Sequence, residues 1–238
     1  MKAERKKLLK PNWHHFDTWD TGQKRGEEKP PLCKPYDDKD LLFDLVAIDA
    51  LQRPSVDLFD AISNRRSIRK YAQDEISLND LSYLLLSTNG VLDKEMPMRR
   101  TVPSGGARHA IETYIYVKKV EGLKAGLYRY LPHDHKLVNV HFKEMASEKS
   151  FTFGAPLTFM WTAVPYRMSW RYGEAADKLL LLDAGHICQN LYLACQALEL
   201  GTCAVGAYDQ EVLDDFMGLD GEEEFLIYAG PVGKKMND

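Results

Sequence analysis

From Val56 onward the apolar residues follow two spacings. In VDLFDAISNR and SLNDLSYLLLSTNG they recur at helical intervals, which predicts two helices, the second opened by Ser77 as N-cap and closed by Gly90. IETYIYVKKV, AGLYRYL and KLVNVHF are rich in β-branched and aromatic residues and predict strands, the last two joined through PHDH in a hairpin turn. PLTFMWTAV and EFLIYAGPVG are apolar almost without a break, so both are expected as strands covered on two faces. Between them EAADKLLLLDAGHICQNLYLACQALELG predicts one long helix over residues 174–200, stopped by Gly201. It is apolar around most of its circumference, as suits the centre of a large core or one half of a subunit interface. DQEVLDDFMGL, capped by Asp209, predicts a shorter amphipathic helix. Antiparallel strand signals beside segregated helices indicate an α+β fold.

Residues 1–55 read differently. Pro11, Gly22, Gly26, Pro30, Pro31, Pro35 and Pro54 punctuate them, with Trp13, Phe16 and Trp19 in between. No long periodic run survives, so an extended N-terminal arm is expected, docked through its aromatics on a domain of residues 56–238. With 238 residues the chain can bury roughly 70% of its unfolded surface. Its 45% hydrophobic and 28% charged content is that of a soluble globular protein, and a formal net charge of -4 argues against general nucleic-acid affinity. Cys33, Cys188, Cys195 and Cys203 form neither a CxxC pair nor a dense framework, which points to a reducing compartment. MKAERKKLLKP lacks the apolar stretch of a signal peptide, and no window is apolar enough to span a membrane. A cytoplasmic protein is expected.

Against that mild negative charge, NRRSIRKY gathers Arg65, Arg66, Arg69 and Lys70 within eight residues. An extended chain puts Arg65, Ser67 and Arg69 on one side, whereas a helix pairs Arg65 with Arg69. Two guanidiniums and a hydroxyl suit a phosphate ester; they equally suit a solvated helix end, whose dipole favours cations. TVPSGGARH sets Pro103, Ser104, Gly105 and Gly106 directly ahead of a strand, either as a plain turn or as backbone N–H groups open to a ligand. In GTCAVGAYD, Gly206 interrupts a short apolar strand, which suggests a bulge or a close backbone approach. Lys234 and Lys235 follow the last strand, as further cations for a site or as a solubilising tail. The HDH run at His133–His135 is expected as a turn rather than a metal site. Asp183, His186 and Asn190 form a polar stripe on the long helix and need partners, structural ones by preference. GxGxxG, the P-loop, GxSxG and HExxH are all missing.

Taken in order, AISNRRSIRKY, SLNDLSYLLLSTNG, RRTVPSGGARHAIETYIYV, GLYRY, LLLLDAGHICQNLYLACQALELGTCAVGAYD and FLIYAGPVG resemble the nitroreductase superfamily of FMN-dependent oxidoreductases, over about residues 56–235. PSGGARH and AGHICQN look most like the branch of the azoline-forming, SagB-type dehydrogenases of thiazole and oxazole peptide biosynthesis. The resemblance implies an α+β sandwich with a central, mostly antiparallel sheet, a homodimer built on the long helices, and two FMN molecules at the subunit interface. Carried over by residue, it implies that Arg65 and Ser67 hold the FMN phosphate, completed by Lys234 or Lys235. Arg66 then lies near the ribityl chain and Arg69 at the pyrimidine edge of the flavin. Ser104, Gly105 and Gly106, after Pro103, come from the partner subunit, and the backbone at Val205, Gly206 and Ala207 faces flavin N5. Hydride passes from NAD(P)H to N5 and on to a small-molecule acceptor, with no metal and no dedicated side-chain acid. The missing GxGxxG agrees, because in this superfamily nicotinamide stacks on the flavin from solvent. The chain departs from the azoline dehydrogenases at one point: they carry a Lys-Tyr pair just before the long helix, where this chain has Arg171-Tyr172. Arg cannot act as a base near neutral pH. The leading expectation is therefore an NAD(P)H oxidoreductase. The alternatives are a SagB-type dehydrogenase acting on a peptide or modified amino acid, with Tyr172 as the side chain to watch, and a flavin- or phosphate-binding protein without turnover.

Overall fold

The computed structural model describes residues 2–145 and 151–236. Its elements in chain order are α1 (Lys2–Leu9), α2 (Gly22–Arg25), β1 (Leu42–Asp44), α3 (Leu58–Asn64), α4 (Leu78–Asn89), β2 (Ile111–Val117), β3 (Gly126–Leu131), β4 (Lys136–His141), β5 (Leu157–Ala163), α5 (Pro165–Tyr172), α6 (Ala176–Ala197), β6 (Leu200–Thr202), α7 (Gln210–Met217) and β7 (Phe225–Lys234). The seven strands form one sheet in the order β1-β4-β3-β2-β5-β7-β6, antiparallel at every pairing. This is the expected α+β fold, with helices flanking a central antiparallel sheet.

Alternation along the central strands fills two cores. Ile115, Val117, Phe159 and Trp161 face α4 and α6, while Tyr114, Tyr116 and Met160 face α7. Every residue of β2, β3 and β5 is buried, as their continuous apolar runs require. Ser77 caps α4 by accepting from Asp80 N at 3.0 Å, and Asp209 caps α7 by accepting from Val212 N at 3.2 Å. The PHDH turn closes the β3–β4 hairpin, with His135 in the left-handed region at φ 52° and bonded to the Tyr130 hydroxyl at 2.8 Å.

The long helix is shorter than the expected 174–200. A 3-10 turn at Gly173–Ala175 precedes it, and it ends at Ala197, where Glu199 turns the chain through φ 58°. Gly201 is not its stop: it already lies in β6, where a Cβ would come within 2.7 Å of Ile68 Cβ. The glycine leaves room for the Ile68 side chain to pack directly on the strand. None of the described helices is long and apolar enough to cross a membrane.

Candidate functional site

At the end of α3 the chain becomes extended at Arg65 and runs beside β6 and the end of β7. Ser67 bridges Thr202 in parallel, Ile68 N donates to Thr202 O at 2.9 Å, and Tyr71 bridges Lys235. Of the two geometries open to NRRSIRKY, the extended one holds, and it puts Arg65, Ser67 and Arg69 at alternate positions. The Arg65 guanidinium lies 5.2 Å from the centroid of the Tyr192 ring. Ser67 Oγ is 2.9 Å from the Tyr192 hydroxyl, which also accepts from Ala204 N at 2.8 Å. Tyr192 on α6 is thus the post on which this patch is fixed. The Arg66 guanidinium bonds the carbonyls of Ser63 and Arg65 at 3.0 and 2.9 Å, folding back on its own loop. Lys235 reaches Gln196 Oε1 at 3.4 Å, on the same helix as Tyr192, whereas Lys234 pairs with Asp74 at 3.5 Å. Among the described residues no carboxylate pairs with Arg65, Arg69 or Lys235, and the buried Thr202 Oγ1 has no partner. An anion with several acceptor oxygens fits this donor set. Val205 bridges Ala229, and beyond it Gly206 and Ala207 are exposed.

The PSGG loop lies elsewhere. Ser104 Oγ donates to Asp183 Oδ2 at 2.6 Å, Gly105 N to Asp183 Oδ1 at 3.1 Å, and His109 N to Ser104 Oγ at 2.8 Å. Burial pushes the Asp183 carboxyl up, against the pull of the bonds from Ser104 and Gly105. Asn190 donates to the carbonyls of Ser87 and Thr101 at 3.1 and 3.2 Å. At Asp183 and Asn190, then, the polar stripe binds loops to α6. Pro103 is exposed, and Gly106 and Ala107 follow at φ 57° and 52°, with Tyr172 packed over Gly106 so closely that a Cβ there would run into its hydroxyl. The arm closes over the same place: Trp13 and Phe16 stand 5.9 and 6.3 Å from the Tyr172 ring, and Trp170 Nε1 donates to Glu27 O at 3.1 Å.

The candidate residues therefore form two groups on one protomer, fixed to α6 at Tyr192 and at Asp183. Nine residues apart on a helix, these anchors are separated by about 13 Å. The outward face of α6 carries Leu181 and Leu182, 48% and 47% exposed, and α3 exposes Leu58, Phe59 and Ile62.

Tyr192 escaped the sequence reading because QNLYLAC looks like plain core. So did a buried rack of charges: Arg167 pairs with Glu112 at 2.8 Å, Arg129 approaches the same carboxylate at 4.0 Å, and Arg129 also donates to the carbonyls of Lys34 and Pro35 at 2.7 and 2.8 Å. Lys34 completes it, its N–H on Glu112 at 2.7 Å and its ammonium on Glu224 at 2.6 Å. The rack clamps the proline-rich segment to the sheet.

The chain is similar to known proteins in sequence and in structure. The model of the Nitroreductase family matches residues 62–234. "Putative nitroreductase MJ1384" of Methanocaldococcus jannaschii is 31% identical over 196 residues, 78% of this chain and 96% of that protein. The "Trifolitoxin-processing protein TfxB" of Rhizobium leguminosarum bv. trifolii is 31% identical over 154 residues, 59% of this chain and 41% of that protein. In structure, the chain is similar to a "putative nitroreductase" from Ralstonia eutropha JMP134, with a TM-score of 0.72 and 26% identity over 83% of this chain and 90% of that one.

Proposed function

This chain belongs to the nitroreductase family, and from that premise we propose that it is an FMN-dependent oxidoreductase that takes electrons from NAD(P)H and passes them to a small-molecule acceptor. The observation that carries this reading is the patch at Arg65, Ser67, Arg69 and Lys235: three cations without a carboxylate, beside a hydroxyl already oriented by Tyr192. Arg65, Ser67 and Lys235 would hold the FMN phosphate. Lys235 is favoured over Lys234, whose ammonium is engaged by Asp74. Arg69 would meet the pyrimidine edge, and the backbone from Val205 to Ala207 would border the ring. Arg66, turned onto its own loop carbonyls, would shape the approach to the ribityl chain. When bound, the flavin supplies the hydride and electron transfer.

A homodimer completes the site. The PSGG loop lies about 13 Å along α6 from the Arg65 patch, so each site would combine the cation patch of one protomer with Pro103, Ser104, Gly105 and Gly106 of the other, across the exposed Leu181 and Leu182. The arm, residues 1–55, would shield Tyr172 and the loop from water through Trp13 and Phe16. The four free cysteines support a cytoplasmic setting. The likeness to the trifolitoxin-processing protein supports a second reading, a SagB-type dehydrogenase with Tyr172 facing its substrate; Arg171 in place of a lysine ranks it lower.

Arg65→Ala tests the site. Losing one charge-assisted phosphate contact should weaken FMN binding roughly tenfold to a hundredfold, while circular dichroism and thermal unfolding stay near wild type. FMN retained as tightly as in the parent would refute the assignment of Arg65.

A further inference from the structure

Beside the PSGG loop lies a cavity of about 290 Å³ bordered by Gly106, Trp170, Lys29, Arg108 and Arg171. Arg108 is only 2% exposed, and its guanidinium carbon lies 5.3 Å from the Trp170 ring centroid. Its Nε is buried with no hydrogen-bond partner. A guanidinium withdrawn from water without a counter-charge is costly, and a bound anion would supply the partner it lacks. The charged groups around it sharpen the point. Arg167 also acts on it electrostatically but is neutralised by Glu112, while Arg171 and Lys29 are exposed and pair with no described carboxylate. Burial, then the neighbouring Arg171, push the guanidinium below its usual basicity, as expected of a cation crowded by cations. Nothing acidic borders the cavity.

We propose that this cavity is an oxyanion-binding subsite for the carboxylate or phosphate of a small-molecule substrate. Arg108, held beside Trp170, supplies the buried charge of the site, and Arg171 and Lys29 close over the group from the rim. The inference rests on the flavoenzyme reading only for its place next to the reaction, since Gly106 borders the cavity and belongs to the loop assigned to the flavin. Two sources carry such a group, the extra phosphate of NADPH and the carboxylate of an acidic acceptor.

Inorganic phosphate titrated calorimetrically into the FMN-loaded protein tests the site itself, with Arg108→Gln and the double variant Lys29→Gln/Arg171→Gln as comparisons. The double variant alters only exposed side chains, so it stands if Arg108→Gln unfolds. Phosphate affinity should fall at least tenfold in both. Steady-state kinetics then distinguish the sources. A tenfold rise in KM for NADPH with NADH unmoved identifies the nucleotide phosphate. A rise for para-nitrobenzoate, with para-nitrobenzamide and both nucleotides unmoved, identifies an acceptor carboxylate. Phosphate affinity within twofold of wild type in both variants overturns the proposal. Should the protein fail to take up FMN, the flavoenzyme reading falls, and the same titration in an Arg65→Ala background, which removes the competing phosphate site, still decides this one.

Discussion

Glu112→Gln is the sharpest perturbation of the scaffold that carries the site. The side chain is 3% exposed and its carboxylate accepts from Arg167 at 2.8 Å and from Lys34 N at 2.7 Å, with Arg129 at 4.0 Å. Gln can keep its oxygen toward Arg167 and Lys34, so hydrogen-bond geometry survives at one atom. What it removes is the charge, and it turns an amide donor toward the donor Arg129. Breaking a buried pair from one side leaves an uncompensated charge and costs about 3–5 kcal/mol. At this chain length each kcal/mol lowers Tm by about 2–4 °C, so a drop of roughly 6–20 °C is expected in differential scanning calorimetry. pH supplies a second readout. Burial works to raise the Glu112 pKa, but Arg167, Arg129 and Arg100 prevail and hold it below the ordinary value. A carboxyl with a lowered folded-state pKa contributes stability that is full above its unfolded value, about 4.3, and is lost as pH falls through the folded one. The gap between wild type and Glu112→Gln should therefore be widest near neutrality and close below about pH 4. A Tm loss under about 2 °C, the range of an ordinary surface substitution, would refute the claim that the rack holds the proline-rich segment in place.

Two further outcomes follow from the same geometry. Leu181→Glu/Leu182→Glu should yield a monomer by analytical ultracentrifugation, with FMN content falling alongside; a variant of unchanged mass would remove α6 from the interface. Gly106→Ala forces φ 57° on a residue with a Cβ and drives that atom into the Tyr172 hydroxyl, which should cost about 1–2 kcal/mol in urea unfolding. Combined with Tyr172→Phe the loss should be less than additive, and strict additivity would dissociate the two residues.

The parts of the fold legible in the sequence are those with local causes. Ser77 and Asp209 cap helices through their own side chains within three residues, and the strands declare themselves by β-branched and aromatic runs. Gly201 was misleading because glycine marks both helix ends and places where a side chain packs directly on a strand; only the packing against Ile68 separates the two. The two geometries of NRRSIRKY could not be separated by residue type, because the deciding contact is a long-range one, Ile68 N on Thr202 O. Glu112, Arg129 and Arg167 are single charges dozens of positions apart, joined only by strand pairing. A signal was present all the same: Arg129 stands between the buried Tyr128 and Tyr130, and a charge in a strand covered on both faces must have a partner. Arg108 carried no such mark, since GARH reads as an ordinary loop.

The central claim, that the Arg65 patch holds FMN for reduction by a pyridine nucleotide, is met most directly by anaerobic titration of the FMN-reconstituted protein with NADPH and NADH, followed by absorbance. The account predicts a yellow protein whose flavin colour bleaches stoichiometrically with at least one of the two. A protein that stays colourless after incubation with FMN, or a yellow one that neither nucleotide bleaches, would contradict it.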